Sequence, residues 1–173
     1  MTDRGSAPPT IVVVMGVAGA GKSTLASALA DHLGVRFLEG DDLHPGANVA
    51  KMRNGVPLSD ADRWPWLSAI AAWIDERAVA MEPAVVACST LKRSYRKVLG
   101  EGRPYVRFVH VAGPPKLVAE RMAKRQGHYF PASLITSQFE ALEPPLADEK
   151  AIVVDMALPV AAQVADVVAE LRL

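Results

Sequence analysis

Between residues 11 and 33 the chain reads as a strand, a glycine turn and a helix, and that turn leaves few folds open. Gly16, Val17, Ala18, Gly19, Ala20, Gly21, Lys22 and Ser23 match G-x-x-x-x-G-K-[ST] in full. Ahead of them, Ile11 to Met15 is a wholly apolar run of the kind that is buried on both faces of a parallel sheet. Behind them, Leu25, Ala26, Leu29, Ala30 and Leu33 recur at helical spacing until Gly34. This context gives the motif its physical meaning. The glycines let the chain wrap tightly, backbone N–H groups then point at phosphate oxygens, and the helix start adds its positive end. Residues Gly16 to Thr24 are therefore expected to cradle a nucleotide such as ATP. Lys22 is expected to reach the β- and γ-phosphates, and the Ser23 hydroxyl to hold Mg2+. On the loop alone a GTPase, an ATPase and a metabolite kinase all remain open.

The rest of the chain alternates between the two kinds of element. Apolar runs predict strands at Val35–Leu38, Ala84–Ala87, Tyr105–Val111 and Ala151–Val154. Periodicity predicts helices at Trp64–Met81, Lys92–Leu99, Pro115–Gln126, Ala132–Leu142 and Val160–Leu171, with a break at Gly127–Pro131. Residues 40–65 read as polar and turn-rich. Such alternation argues for an α/β fold, an open parallel sheet with helices on both faces and its ligand beyond the carboxyl ends of the strands. With 173 residues, half of them hydrophobic, the chain fits one domain over 11–173 after a flexible, proline-rich tail at 1–10. The 19 basic residues balance the 19 acidic ones, so there is no electrostatic case for nucleic acid or an anionic membrane. Cys88 is the single cysteine, which rules out an intramolecular disulfide and suits a reducing compartment. No apolar run reaches the length of a membrane span or a signal peptide, and a cytoplasmic location is expected.

The acceptor must be recognised by the segments around the strand ends. Glu39-Gly-Asp41-Asp42 closes the second strand, next to the loop. A kinase needs a carboxylate there to orient the acceptor hydroxyl and take its proton, and Asp41 is the candidate. Both aspartates also suit a turn or a helix cap, and Asp42 alternatively assists Mg2+ through water. His44, Asn48, Lys51, Arg53, Asp60, Asp62 and Arg63 then mix donors and acceptors in a way that fits a polyhydroxyl ligand with an anionic group, although each also reads as solvated surface. His44 has no metal-partner pattern around it, so no structural zinc is expected. Lys92, Arg93, Arg96 and Lys97 follow the third strand. Arg121 and Arg125 share a helix face at i, i+4 spacing, ahead of the Gly127–Pro131 turn. Arginines on a helix pair over a phosphate site describe a lid that shuts out water, against the alternative of a hairpin that packs without moving.

These segments resemble the gluconokinases, in particular the thermoresistant class of D-gluconate kinases. The matching stretches are GVAGAGKST at 16–24, EGDDLHPGANVAKMRNGVPLSDADRWPWL at 39–67, ACSTLKRSYR at 87–96 and RMAKRQGHYFPASLITSQFEALEPP at 121–145. The resemblance implies a fold similar to adenylate and shikimate kinases, with five parallel strands in the order 2-3-1-4-5. It implies ATP- and Mg2+-dependent phosphorylation of the 6-hydroxyl of D-gluconate by a homodimer. It also implies an acceptor-binding insert at about 44–75 and a mobile lid at about 120–137. Asp41 falls on the family's acceptor carboxylate, Lys22 and Ser23 on its loop residues, Arg63 on a sugar-acid contact, and Arg121 and Arg125 on lid positions. His44, Asn48, Lys92 and Arg93 lie in family motifs as acceptor contacts. Ala18 and Ala20 stand where many relatives carry serine, and Thr90 replaces a more frequent alanine, which would add a hydroxyl near the site. A kinase for another small acceptor (shikimate, another sugar acid, a nucleoside monophosphate) is the nearest alternative, and a nucleotide-dependent switch or binding module is the alternative of a different class.

Overall fold

The computed structural model describes residues 9–125 and 132–172. Most of the expected tail at 1–10, and all of the turn expected at 127–131, lie outside the described residues. Five strands form one sheet: β1 (Ile11–Met15), β2 (Arg36–Glu39), β3 (Ala84–Ala87), β4 (Val106–Ala112) and β5 (Ile152–Asp155). All pairings are parallel and the order is β2-β3-β1-β4-β5. Parallel pairing requires crossovers, and the helices that supply them cover both faces.

Strand alternation divides the core in two. Val12, Val14, Val85, Ala87, Val109, Val111, Ile152 and Val154 face one layer, packed by α1 (Lys22–Leu33), α5 (Pro115–Ala123), α6 (Ala132–Ala141) and α7 (Val160–Leu171). Ile11, Val13, Met15, Ala84, Val86, Val106 and Phe108 face the other, packed by α3 (Asp60–Val79) and α4 (Arg93–Gly100). Each face removes branched aliphatic side chains from water, the main favourable term in folding. Because every strand points the same way, Met15, Glu39, Ala87, Ala112 and Asp155 end on one edge of the sheet, and the chemistry gathers there.

Residues 40–65 depart from the turn-rich reading. A 3-10 turn runs over Gly40–Leu43, α2 occupies Gly46–Arg53, and α3 begins at Asp60, four residues before the expected Trp64. Hydrophobic periodicity is nearly absent from α2, which buries only Asn48. Polar contacts hold it instead. Asn48 Nδ2 donates to the Asp62 carbonyl at 2.8 Å, and Lys51 Nζ reaches both Asp62 carboxylate oxygens at 2.9 and 2.8 Å. Asp62 also completes a capping box with Ser59, which starts α3 early. The sequence carried that signal as Ser59-x-x-Asp62. At the other end of the chain, α5 stops at Ala123 rather than Gln126.

Candidate active site

Close backbone approach shapes the phosphate loop. Gly16 has φ 147°, and a Cβ there would meet the Val111 carbonyl oxygen at 2.8 Å. Its N–H donates to the Ser89 carbonyl at 3.3 Å, which ties the loop to the connection just past β3. Gly40 is similarly pressed against the β3 end, where a Cβ would lie 2.5 Å from the Ala87 carbonyl oxygen. Any side chain at either position would push the loop or the Asp41 turn off the sheet edge.

Lys22 folds back over the loop, its Nζ donating to the Val17 carbonyl at 3.0 Å. Burial pushes its ammonium pKa down, while the Asp41 and Glu39 carboxylates oppose that shift and Arg125 adds to it. Both carboxylates and an arginine from beyond α5 are thus within electrostatic reach of the phosphate-loop lysine. The Ser23 hydroxyl donates a short hydrogen bond to Glu39 Oε2. A hydroxyl and a carboxylate in contact form a hard-oxygen pair that suits Mg2+, which is usually held by one or two protein oxygens together with nucleotide phosphates. Sequence reasoning chose Ser23 and passed over Glu39. The signal was its i, i+2 relation to Asp41, which puts two carboxylates at the end of one strand.

Asp41 stands in the Gly40–Leu43 turn with a largely exposed side chain. His44 lies behind it, buried and stacked on Trp66 with ring centroids 4.1 Å apart. Trp66 in turn donates its indole N–H to the Gly40 carbonyl at 2.7 Å, fixing the turn that carries Asp41. Asn48 is buried and bridges His44 and Asp62.

Arg63 and Lys92 meet around Tyr95. The Arg63 guanidinium lies 5.5 Å from the Tyr95 ring centroid and the Lys92 ammonium 5.6 Å from it. Tyr95 donates its hydroxyl to Asp60 Oδ1, and Lys92 pairs with the same carboxylate at 3.1 Å. Arg63 NH1 donates to the Leu58 carbonyl and to the Tyr95 hydroxyl. Two candidate residues are thereby gathered into one basic patch, with Tyr95 and Asp60 as organisers, a role that the sequence did not assign to either. Arg93 instead faces outward, its guanidinium paired with Asp148 and its backbone N–H donating to Glu143 Oε2 at 2.8 Å.

Arg96, one of the basic residues after the third strand, does not face the acceptor: it is 2% exposed and turned into the protein. It pairs with Glu149 through two nitrogens and donates to the Thr90 and Leu91 carbonyls. Burial alone would raise the Glu149 carboxyl, but Arg96 and the Leu146 N–H outweigh it and the net shift is downward. The clamp holds Thr90 at φ 38°, a left-handed conformation that residues with a Cβ seldom adopt. The Thr90 hydroxyl does not face the cleft. It is buried and donates to the Cys88 carbonyl at 3.3 Å.

A cleft of about 250 Å3 opens between Gly19–Gly21, Thr24, Arg121, Arg125, Leu158, Val160 and Gln163. Arg121 donates to the Ala20 and Met156 carbonyls. Arg125 lies past the end of α5, so the two arginines do not share a helix face as expected, yet both line the same cleft. Gln163 holds the far wall by donating to the Asp155 and Leu158 carbonyls, a role with no local sequence signal. The wall comes from the connection after β5. Residues 110–113 line a separate cavity of about 50 Å3 with Val17, Phe139 and Leu142. Gln138 on α6 was likewise not foreseen, and its Oε1 accepts the Ala18 N–H at 3.1 Å.

Comparison with known proteins agrees with this arrangement. The family described as AAA domain matches residues 11–151. A gluconokinase of Gluconobacter oxydans (strain 621H) is 50% identical over 145 residues, covering 83% of this chain and 81% of the relative. The thermoresistant gluconokinase of Escherichia coli (strain K12) is 41% identical over 163 residues, 91% of each chain. The crystal structure of a gluconokinase from Sinorhizobium meliloti 1021 superposes with a TM-score of 0.84 at 47% identity, over 96% of this chain and 93% of that one. Identity at this level over most of the chain means that the chain belongs to the gluconokinase family.

Proposed function

We propose that the chain is an ATP-dependent gluconokinase that transfers the γ-phosphoryl group of ATP to the 6-hydroxyl of D-gluconate, giving 6-phospho-D-gluconate and ADP. The observation that carries this reading is that the phosphate loop with Lys22 and Ser23, the last bonded to Glu39, lies at the same sheet edge as Asp41 and a patch built on Arg63, Lys92 and Tyr95. Gluconate carries one anionic end and a row of hydroxyls, which matches cations at one end of the site and a carboxylate at the other. Arg63 holds the sugar-acid carboxylate, assisted by Lys92, while His44 and Asn48 shape the floor beneath Asp41 and Arg93 steadies the neighbouring connection. Asp41 orients the 6-hydroxyl towards the γ-phosphorus and takes its proton, and the transfer is direct and in line.

Gly16 to Thr24 wrap the phosphates. Ser23 and Glu39 would hold Mg2+, which when bound neutralises charge on the β- and γ-phosphate oxygens. Lys22, Arg121 and Arg125 offset the charge that spreads over the transferring group. The segment at about 44–75 serves as the acceptor insert and that at about 120–137 as the lid, and the enzyme works as a cytoplasmic homodimer. Among the described residues no helix is long and apolar enough to cross a membrane.

The test is ADP release with Mg2+ and ATP against D-gluconate, shikimate, other sugar acids and nucleoside monophosphates. Turnover with D-gluconate well above the others supports the reading. Turnover with another member of the panel and none with gluconate overturns the acceptor while leaving the nucleotide site in place.

A further inference from the structure

His44 is held in a way that defines which ring nitrogen carries its proton. Asn48 Nδ2 lies 2.8 Å from the Asp62 carbonyl oxygen and 3.2 Å from His44 Nδ1. A carbonyl oxygen only accepts, so the Asn48 atom facing it is the amide NH2. The second hydrogen of that NH2 faces Nδ1, which is therefore the bare, accepting nitrogen. The neutral ring then carries its proton on Nε2, 3.9 Å from Asp41 Oδ1. A second proton would have to enter at Nδ1, against the Asn48 donor. The charged groups facing the ring are Asp41 from the 3-10 turn and Arg63 from α3, while Asn48 of α2 and Trp66 of α3 supply its uncharged walls. Burial lowers the imidazole pKa, Asp41 opposes this and Arg63 adds to it, with a net downward shift.

We propose that His44 is a positioning residue that stays neutral and presents its Nε2–H to the Asp41 carboxylate, fixing the rotamer from which Asp41 receives the acceptor proton. This rests on the reading of Asp41 as the acceptor base. The Asp41 side chain is 76% exposed and would otherwise turn freely. A swing of about 1 Å brings it within hydrogen-bond distance of Nε2. The proton that Asp41 takes cannot pass on to His44, because Nε2 already carries one and Nδ1 is closed by Asn48. It leaves to solvent, and the donor is intact for the next cycle.

Long-range 1H–15N spectra of the full chain, with the His44 signals assigned by their loss in His44→Gln, report the tautomer directly between pH ~5.5 and ~8.5. The expected result is a protonated Nε2 and a bare Nδ1 throughout. A proton on Nδ1, or conversion to imidazolium near the ordinary ~6.5, overturns the proposal. In kinetics, His44→Ala should lower kcat about tenfold or more with the KM for ATP unchanged, and His44→Gln, whose amide N–H can replace Nε2–H, should recover most of it. Equal kcat for the alanine and glutamine variants, or wild-type kcat for His44→Ala, overturns it. Asp41→Asn separates this failure from that of the underlying reading. Full turnover there removes Asp41 as base and His44's role with it, whereas lost turnover there beside an unaffected His44→Ala removes the role of His44 alone.

Discussion

On the proposed mechanism Lys22, Asp41 and Arg63 divide the reaction into charge, proton and grip, and substitution should separate them. Lys22→Ala is expected to lower kcat by ~10^2–10^3, the loss typical of one electrostatic donor to a transition state. Asp41→Asn should lower kcat by ~10^2 or more while leaving the KM for ATP near wild type. Arg63→Ala should act mainly on the KM for gluconate. Steady-state kinetics of the three variants check this, and a raised KM for ATP in Arg63→Ala would contradict its place on the acceptor side. Cys88 makes a contrasting case. Burial pushes its thiol up to about 12, and it sits 2% exposed at the end of β3. The folded protein should therefore resist iodoacetamide at neutral pH and react only after unfolding, as mass spectrometry would read. A strand-end cysteine beside a catalytic loop is here a small apolar side chain. The loop residues were legible from sequence because glycine, lysine and serine at fixed spacing have one job in that context. The roles of Arg96, Gln138 and Gln163 were not, because their partners lie 6, 53, 120 and 8 positions away and no local pattern announces those contacts.

At the scale of elements, the strands and the long helices follow from apolar runs and periodicity. The expected bounds of β3 and α7 coincide with the observed ones. The miss at α2 has a physical cause, since that helix buries a single asparagine and is held by Lys51 and Asp62 rather than by an apolar stripe. Lys51 above all, with the Ser59 N–H, holds the Asp62 carboxyl at about 2. The unfolded value is ~3.9, so the folded state binds fewer protons. The stability this group contributes is complete above ~4 and is lost as the pH falls through about 2. Lys51→Met should weaken that hold and move the acid transition of the α2–α3 corner to higher pH. Fluorescence of Trp64 and Trp66, at the start of α3, is the readout, and an unchanged midpoint would mean that the corner is held by other contacts. The Arg96–Glu149 pair is a different kind of tie, being buried. Removing one partner leaves a charge without compensation, at a typical cost of ~3–5 kcal/mol, and the domain as a whole has only ~5–15 kcal/mol to lose.

For the whole molecule, alternation of strand and helix was enough for an open parallel sheet, and the site had to lie at the carboxyl edge. The order of the strands came from family resemblance, because spacing alone does not say which neighbour a crossover reaches. One feature at this scale joins the two halves of the edge. Gln138 ties α6 to the Ala18 amide, and two contacts just beyond the helix tie it to the third strand's exit, from the Glu143 N–H to the Leu91 carbonyl and from the Arg93 N–H to the Glu143 carboxylate. A ligand that shifts the helix at one end must do work against the contacts at the other. In thermodynamic terms the nucleotide and the acceptor are linked, and the factor by which one changes the affinity of the other is the same in both directions. Calorimetric Kd values for a non-hydrolysable ATP analogue with and without gluconate, and for gluconate with and without the analogue, should differ by one common factor, within the usual ~5–150-fold range. Gln138→Ala should bring that factor towards one without abolishing either affinity. A single amide at the edge of the loop would then be what makes two binding events into one.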